Sequence, residues 1–241
     1  LKVLDWGAWA QDRVGKEAWC LWAKDPASQG PGPLTGPPPA AAAIPAILRR
    51  RAGLSDRLAL DLACALVAKD DPVPSVFASR HGQIVRSVAL LEALAQGAPL
   101  SPMDFSVSVH NATAGLFSIA RGDRSATTAL AGGRESLSGA LLEASALLEE
   151  GADRVLVVYH DETPPPVFDG RWQAEAADWS LGLLLGRDRG RPLEMRLEDV
   201  PSGGVDAEEA QALVLARLLG LGGGSASWFS GRHLWTWEVP G

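Results

Sequence analysis

The sequence predicts an α/β protein, a mixed sheet with helices packed on it, folded as one domain over residues 1–241. Three observations predict it. Strand-like and helix-like patterns alternate from end to end, with no internal repeat at a fixed period. The run Arg154–Tyr159, RVLVVY, is apolar without alternation, as a strand covered on both faces must be. Apolar residues make up 46% and charged residues 21%, the balance of a chain that buries a core.

Lys2–Trp6 is short and apolar-rich, and Glu17–Lys24 carries Trp19, Leu21 and Trp22. Gln29–Ala43, QGPGPLTGPPPAAAA, is the one low-complexity stretch. Its prolines forbid regular pairing and its glycines loosen it, so it predicts a surface loop within the domain. Ser55–Lys69 reads as a helix with Ser55 as N-cap and Leu58, Leu62, Ala65 and Leu66 at helical spacing. Pro72 and Pro74 stop it. Ser75–Ser79 reads as a strand, and Gln83–Gln96 as a helix closed by Gly97. Phe105–Val109 alternates like a strand, Asn111–Arg121 reads as a helix, Ala126–Ala131 as extended, and Glu135–Glu150 as a helix stopped by Gly151. Strands follow near Ser180–Leu185 and Leu193–Leu197. A helix is expected at about Asp206–Leu219, then a glycine loop at Gly222–Gly224 and a Trp-rich strand at Leu234–Val239.

Charge and composition exclude several functions. The 22 Lys and Arg against 29 Asp and Glu leave a net charge of −7, which argues against a nucleic-acid binder. No stretch of ~18 apolar residues reads as a membrane span. The opening LKVLDWGAWAQDR has no basic leader and reaches Asp5 early, so the expectation is a cytoplasmic protein. Two cysteines, Cys20 and Cys64, are too few for a disulfide framework or a zinc site, and no metal or cofactor is expected.

Two constellations carry chemistry. Ser79-Arg80-His81-Gly82-Gln83 follows the apolar run Val76-Phe77-Ala78. An Arg-His-Gly after a strand resembles the signature of histidine phosphatases, which implies His81 as phosphoryl acceptor and Arg80 as a bidentate phosphate clamp. That family continues with Asn-Arg, whereas Gln83-Ile84-Val85-Arg86-Ser87 follows here, and a second histidine would have to come from His110, His160 or His233. In the plainer reading, Arg80 and His81 tie a loop to neighbouring carbonyls or carboxylates.

The second constellation is Ser101–Gly115, SPMDFSVSVHNATAG, which continues through Ile119 and Gly122 to the junction Ala131-Gly132-Gly133-Arg134-Glu135-Ser136. It resembles the β-ketoacyl synthases of the thiolase superfamily, without a gap from Ser101 to Gly151 and on through Arg154–Tyr159. Within that superfamily it is most similar to the small synthase-like N-terminal domains grouped with chain-length factors. Their hallmark, Phe-Ser-x-Ser-Val-His-Asn-Ala, stands here as Phe105–Ala112, with Ala114 and Gly115 completing the Asn-x-x-Ala-Gly helix start. The resemblance implies a thiolase-like fold, corresponding to the N-terminal half of a synthase.

Synthases of this kind hold the acyl chain as a thioester on a Cys at a helix N-terminus, where unpaired N–H groups and the macrodipole lower the thiol pKa. Counting back from Gly151 and forward from Asn111 both place Arg134 at that position. The Ala-Gly-Gly run shared with chain-length factors would instead choose Leu130. Cys20 and Cys64 read as small buried hydrophobes. Ser136, beside Glu135, reads as an N-terminal capping residue, the alternative being an acylated nucleophile. Neither His160 nor His233 matches the histidine pair with which synthases decarboxylate malonyl thioester. The resemblance therefore implies a chain that does not condense acyl units.

It also implies partners: a ketosynthase subunit bound as a heterodimer and, through it, an acyl carrier protein, in type II fatty-acid, polyketide or aryl-polyene biosynthesis. On that analogy Met103, Asp104 and Phe105 reach toward the partner's acyl pocket, and Ser125–Ala131 lies near the dimer axis. Asn111 would cap its helix while His110 hydrogen-bonds a neighbouring loop. Four tryptophans within Trp6–Trp22 and three within Trp228–Trp237 are expected to cover exposed layers or meet the partner. Arg49-Arg50-Arg51 is either a carrier dock or a solvated loop.

Overall fold

The computed structural model describes residues 1–25, 27, 30–168, 177–200, 207 and 209–240. In chain order the elements are β1 (Lys2–Ala10), β2 (Arg13–Val14), α1 (Lys16–Lys24), α2 (Ala46–Arg49), α3 (Leu54–Leu66), β3 (Ser75–Ala78), α4 (Ile84–Ala95), α5 (Pro102–Ser106), α6 (Ala112–Arg121) and β4 (Thr127–Leu130). They continue with α7 (Ser136–Glu149), β5 (Arg154–Asp161), β6 (Trp179–Gly186), β7 (Arg191–Pro192), β8 (Glu194–Asp199), α8 (Gln211–Leu221), β9 (Gly224–Phe229) and β10 (His233–Val239).

The large sheet is mixed, in the order β2-β1-β6-β5-β3-β4, with β7 paired to the start of β1. β3 runs parallel to both β4 and β5, while β6 is antiparallel to β5 and β1. The C-terminal ends of β3, β4 and β5 therefore share one edge, and the candidate chemistry gathers there. Every residue of β6 is buried, as are Val155–Asp161 of β5, which is why RVLVVY lacks alternation. One face packs Phe77, Leu156 and Val158 against Leu60 and Ala63 of α3 and Phe117 of α6. The other packs Val155, Val157, Leu181 and Leu183 with Leu137 and Leu141 of α7, Leu215 of α8 and Trp19 of α1. A small antiparallel sheet, β8-β10-β9, closes that core. Gly182 allows α3 to lie this close to β6, since a Cβ there would stand 2.6 Å from Leu66 Cδ1.

Several expectations are corrected. Phe105–Val109 is not a strand: α5 occupies its start, because the Ser101 hydroxyl accepts the Asp104 N–H at 3.2 Å and Pro102 sits at the first helical position. That local cap outweighs two-residue alternation. α3 is capped at Gly53, not Ser55. The Asp56 carboxylate takes the Gly53 N–H at 2.8 Å, leaving Ser55 buried inside the first turn. Asn111 stands at the N-cap of α6, but its side chain makes no cap bond. The final helix starts at Gln211, and the expected start at Asp206 lies outside the described residues. The Gly222–Gly224 loop leads into an extra strand, β9, paired along β10.

The tryptophans also depart from expectation. Trp6, Trp19, Trp22, Trp179, Trp228, Trp235 and Trp237 are buried in the chain's own core. The indoles of Trp228, Trp235 and Trp237 fill the space between the small sheet and the layer of α1, α7 and α8, so this surface is satisfied internally. No helix among the described residues is long and apolar enough to cross a membrane.

Candidate functional site

At the end of β4 the chain passes through exposed Gly132 and Gly133, makes a single 3₁₀ turn over Gly133–Glu135 and enters α7. Arg134 is half-buried on that turn. Its guanidinium donates to the Ala207 carbonyl and lies 5.2 Å from the centre of the Trp228 ring. A cation at a helix N-terminus opposes the macrodipole, and the carbonyl and ring face supply the negative potential that offsets it. Glu135 reaches the other way, to His233 Nδ1 at 2.8 Å, while His233 Nε2 lies 3.5 Å from Asp199. Burial raises the Glu135 carboxyl, but hydrogen bonds from Ser230 and His233 outweigh it and hold the group below its ordinary value. Ser136 is fully buried. Its Oγ accepts the Gly132 N–H at 3.0 Å and donates to the Gly133 carbonyl at 2.7 Å, so it ties the preceding loop to the helix start and is not the expected cap, a place taken by Glu135. Leu130, the other candidate for the nucleophile position, packs its Cδ2 3.0 Å from where a Gly139 Cβ would stand.

The ends of β3 and β5 hold a polar cluster the sequence did not announce. Asp161 accepts the Ser79 hydroxyl at 2.7 Å and the Arg80 N–H at 3.0 Å, and also the Tyr159 hydroxyl. The Ser79–Gln83 loop is thereby clamped through its backbone. His81 is half-buried, and burial followed by the neighbouring Arg80 pulls its pKa down to about 4. His110 donates through Nε2 to the Ser79 carbonyl at 3.1 Å, the loop contact expected of it. His160 is fully buried, shares a 2.7 Å hydrogen bond with Ser55 Oγ, and is held near pKa 3 by burial and then by His110. Asp56 accepts from Thr113 Oγ1 at 2.6 Å and Gln83 Nε2 at 2.8 Å, joining α3, α6 and the loop. Burial raises Glu162 to about 7 against the hydrogen bonds of the Ser55 and Val85 N–H groups, with Asp56 and Asp178 raising it further. The one sequence signal for this cluster was His160-Asp161-Glu162 directly after an apolar strand.

The remaining candidates fall on two other elements. Met103 and Phe105 on α5 are 53% and 65% exposed, and Asp104 between them pairs with Arg86 at 3.5 Å. Asn111 is exposed, Ala114 is buried on α6 and Gly115 is half-buried beside it. Cys20 and Cys64 are half-buried in α1 and α3, less enclosed than expected, and burial raises the Cys64 thiol. Among the described residues no group of three His, Cys, Asp or Glu side chains could hold a metal.

The family model for the beta-ketoacyl synthase N-terminal domain matches residues 19–238. The chain belongs to that family. The synthase-like domain aligns over 99% of its own length and 99% of a chain from the ketosynthase (ApeO) in complex with its chain length factor (ApeC) of Xenorhabdus doucetiae, with 24% identity and a TM-score of 0.87. It aligns over 100% of itself and 99% of a chain of the ishigamide ketosynthase/chain length factor, with 16% identity and a TM-score of 0.71. A chain from AntDE:AntF, described as a type II PKS acyl-carrier protein in complex with its ketosynthase bound to the hexaketide, matches at 12% identity and a TM-score of 0.70, covering 99% of this domain and 98% of that chain. No curated protein sequence matches it. The fold is thus the thiolase-like arrangement that the Ser101–Gly151 motifs implied.

Proposed function

We propose that this chain is a non-catalytic, chain-length-factor-like subunit of a ketosynthase, in type II fatty-acid, polyketide or aryl-polyene biosynthesis, and that it shapes the acyl pocket of its partner. The reading rests on Arg134 on the turn into α7, which the resemblance assigns to the position where condensing members of this family hold a thiolate, with Leu130 as the alternative position and neither of them a cysteine. A guanidinium stays protonated at neutral pH and cannot carry a thioester. Burial keeps Cys64 as the thiol, and both cysteines sit inside helices, away from that turn.

The outer surface supports the partner role. β4 is the last strand of the large sheet, half-exposed, with one side unpaired among the described residues. α5 has no buried residue and presents Met103 and Phe105 to solvent. An apolar helix and an open sheet edge suit burial against a second subunit.

Co-expression with the ketosynthase of the same cell, followed by native mass analysis and acyl-thioester loading, tests the reading. The expected result is a one-to-one heterodimer that carries the acyl group on the ketosynthase alone. A chain that stays monomeric beside the synthase, or that itself takes up the acyl group, overturns it.

A further inference from the structure

Strand β1 has an open stretch of edge. β7 pairs with Lys2 and Val3 and β2 with Trp9 and Ala10, so residues 4–8 have no strand beside them on that side among the described residues. The Trp6 N–H points into this gap, where the Asp5 carboxylate takes it at 2.8 Å. A groove of about 310 Å³ runs from the gap to α3. Asp5, Gly7 and Trp9 share one face of β1, and that face meets α3, since a Cβ on Gly7 would stand 3.0 Å from Leu62 Cδ1. The Ser180 hydroxyl, on the β6 residue paired with Trp9, donates to the Leu58 carbonyl at 2.9 Å. Asp61, between Leu58 and Leu62 on α3, therefore falls toward the Trp9 end of the groove.

The groove already holds one ammonium, the chain's own. Lys16 Nζ lies 2.6 Å from Asp5 Oδ1 and 5.3 Å from the centre of the Trp6 ring, so a carboxylate and an indole face share it. Trp9 and Asp61 line the same groove with the same two kinds of group. Both are half-buried, and no cation of the chain pairs with Asp61 or lies over Trp9 among the described residues. Burial raises the Asp61 carboxyl above its ordinary value, and the Ala41 N–H is the hydrogen bond that opposes this. One lysine against two carboxylates leaves the lining negative, which selects a cation. Leu62 and Leu66, one turn apart, and the bare surface of Gly7 supply an apolar wall for a carbon body. An extended peptide fits poorly, because β7 and β2 close the gap at both ends after roughly 17 Å and an added strand could not run past them.

We propose that this groove binds a small organic ammonium ion, its charge on Asp61 and Trp9 and its carbon body against Gly7, Leu62 and Leu66. The site lies at β1, across the large sheet from β4, and does not depend on the partner-subunit reading.

Calorimetric titration of the full chain with 2-phenylethylammonium tests this. Two further probes accompany it: phenylacetate, with the same ring and the opposite charge, and methylammonium, with the charge and no ring. The first should bind with a Kd of about 1 mM or tighter, and each of the others at least about tenfold more weakly. Asp61→Asn should weaken the first probe about tenfold or more and leave thermal unfolding close to that of the unmodified chain. Phenylacetate or methylammonium binding as tightly as 2-phenylethylammonium, no saturation by about 10 mM, or an unchanged affinity in Asp61→Asn each overturns the proposal. If the variant does not unfold cooperatively, the probe comparison on the unmodified chain decides, together with the NMR shift of the Trp9 indole N–H. A preference for 2-phenylethylammonium with a shifted Trp9 signal supports the site, and the lack of either overturns it.

Discussion

Gly82 and His110 come from the two sequence runs that looked most like chemistry, and they fit each other. Gly82 has φ +58°, and a Cβ on it would stand 2.7 Å from His110 Cδ2. The Arg-His-Gly loop and the Val-His-Asn run are therefore two halves of one contact, with the His110–Ser79 bond as its polar part. Gly82→Ala combines left-handed strain with a clash, and a loss of about 1–3 kcal/mol is expected from urea denaturation. Adding His110→Ala should recover part of that loss, because the clashing ring is gone. A double variant no better than the single one would refute the pairing. Glu162, a few residues beyond His160, makes a separate prediction about pH. Its folded pKa is raised to about 7 from 4.5, so the stability it contributes is complete below its unfolded pKa and lost as pH rises through about 7. His160 works oppositely. Its folded pKa is lowered to about 3, so its contribution is complete above 6.5 and lost as pH falls toward 3. Glu162→Gln keeps a neutral acceptor for the Ser55 and Val85 N–H groups, and should gain on the order of 2 kcal/mol at about pH 8 and almost nothing at about pH 4.5. An equal change at both pH values would rule out this assignment.

Elements were readable where one force dominates. β5 and β6 are apolar throughout because both faces are covered, and α7 has helical spacing with a glycine stop, so each was placed to within a residue or two. α5 was misread because Phe105–Val109 alternates, whereas the Ser101 hydroxyl and Pro102, about one turn earlier, decide the backbone. β9, Gly-Ser-Ala-Ser-Trp-Phe, has small residues in place of β-branched ones and is held by its register with β10 instead of its own propensity. The polar cluster was hidden for a different reason. Asp56 meets Gln83 and Thr113, and Ser55 meets His160, across separations of 27, 57 and 105 residues, which no local pattern encodes. The strand-to-helix junction at Ala131–Ser136 was readable in the sequence, while the Trp228 and Ala207 contacts of Arg134 needed the fold to bring the far end of the chain over α7.

The large sheet ends unequally on its two sides, and the difference bears on assembly. On one side β2 is only two residues long and turns back on β1, a short edge that offers little to pair with. On the other side β4 is open. In its parallel ladder the Ala126 and Leu130 carbonyls accept from Ser75 and Ser79 at 3.0 and 3.2 Å, so the intervening Thr127 and Ala129 turn their N–H and C=O groups outward. A second subunit that extends the sheet must bond those two residues. Ala129→Pro removes one outward donor and leaves the ladder to β3 intact, whereas Thr128→Pro strikes the inward side and should destabilise the monomer itself. With Ala129→Pro, thermal unfolding of the chain alone should be nearly unchanged while its affinity for the ketosynthase falls about tenfold or more. Phe105→Glu, made on exposed α5, should weaken the same complex without altering the monomer, because the side chain leaves no core. If Ala129→Pro and Phe105→Glu both bind the ketosynthase as tightly as the unmodified chain, the two subunits meet through some other face. If Phe105→Glu alone weakens binding, α5 is in the contact and the two sheets are not continuous.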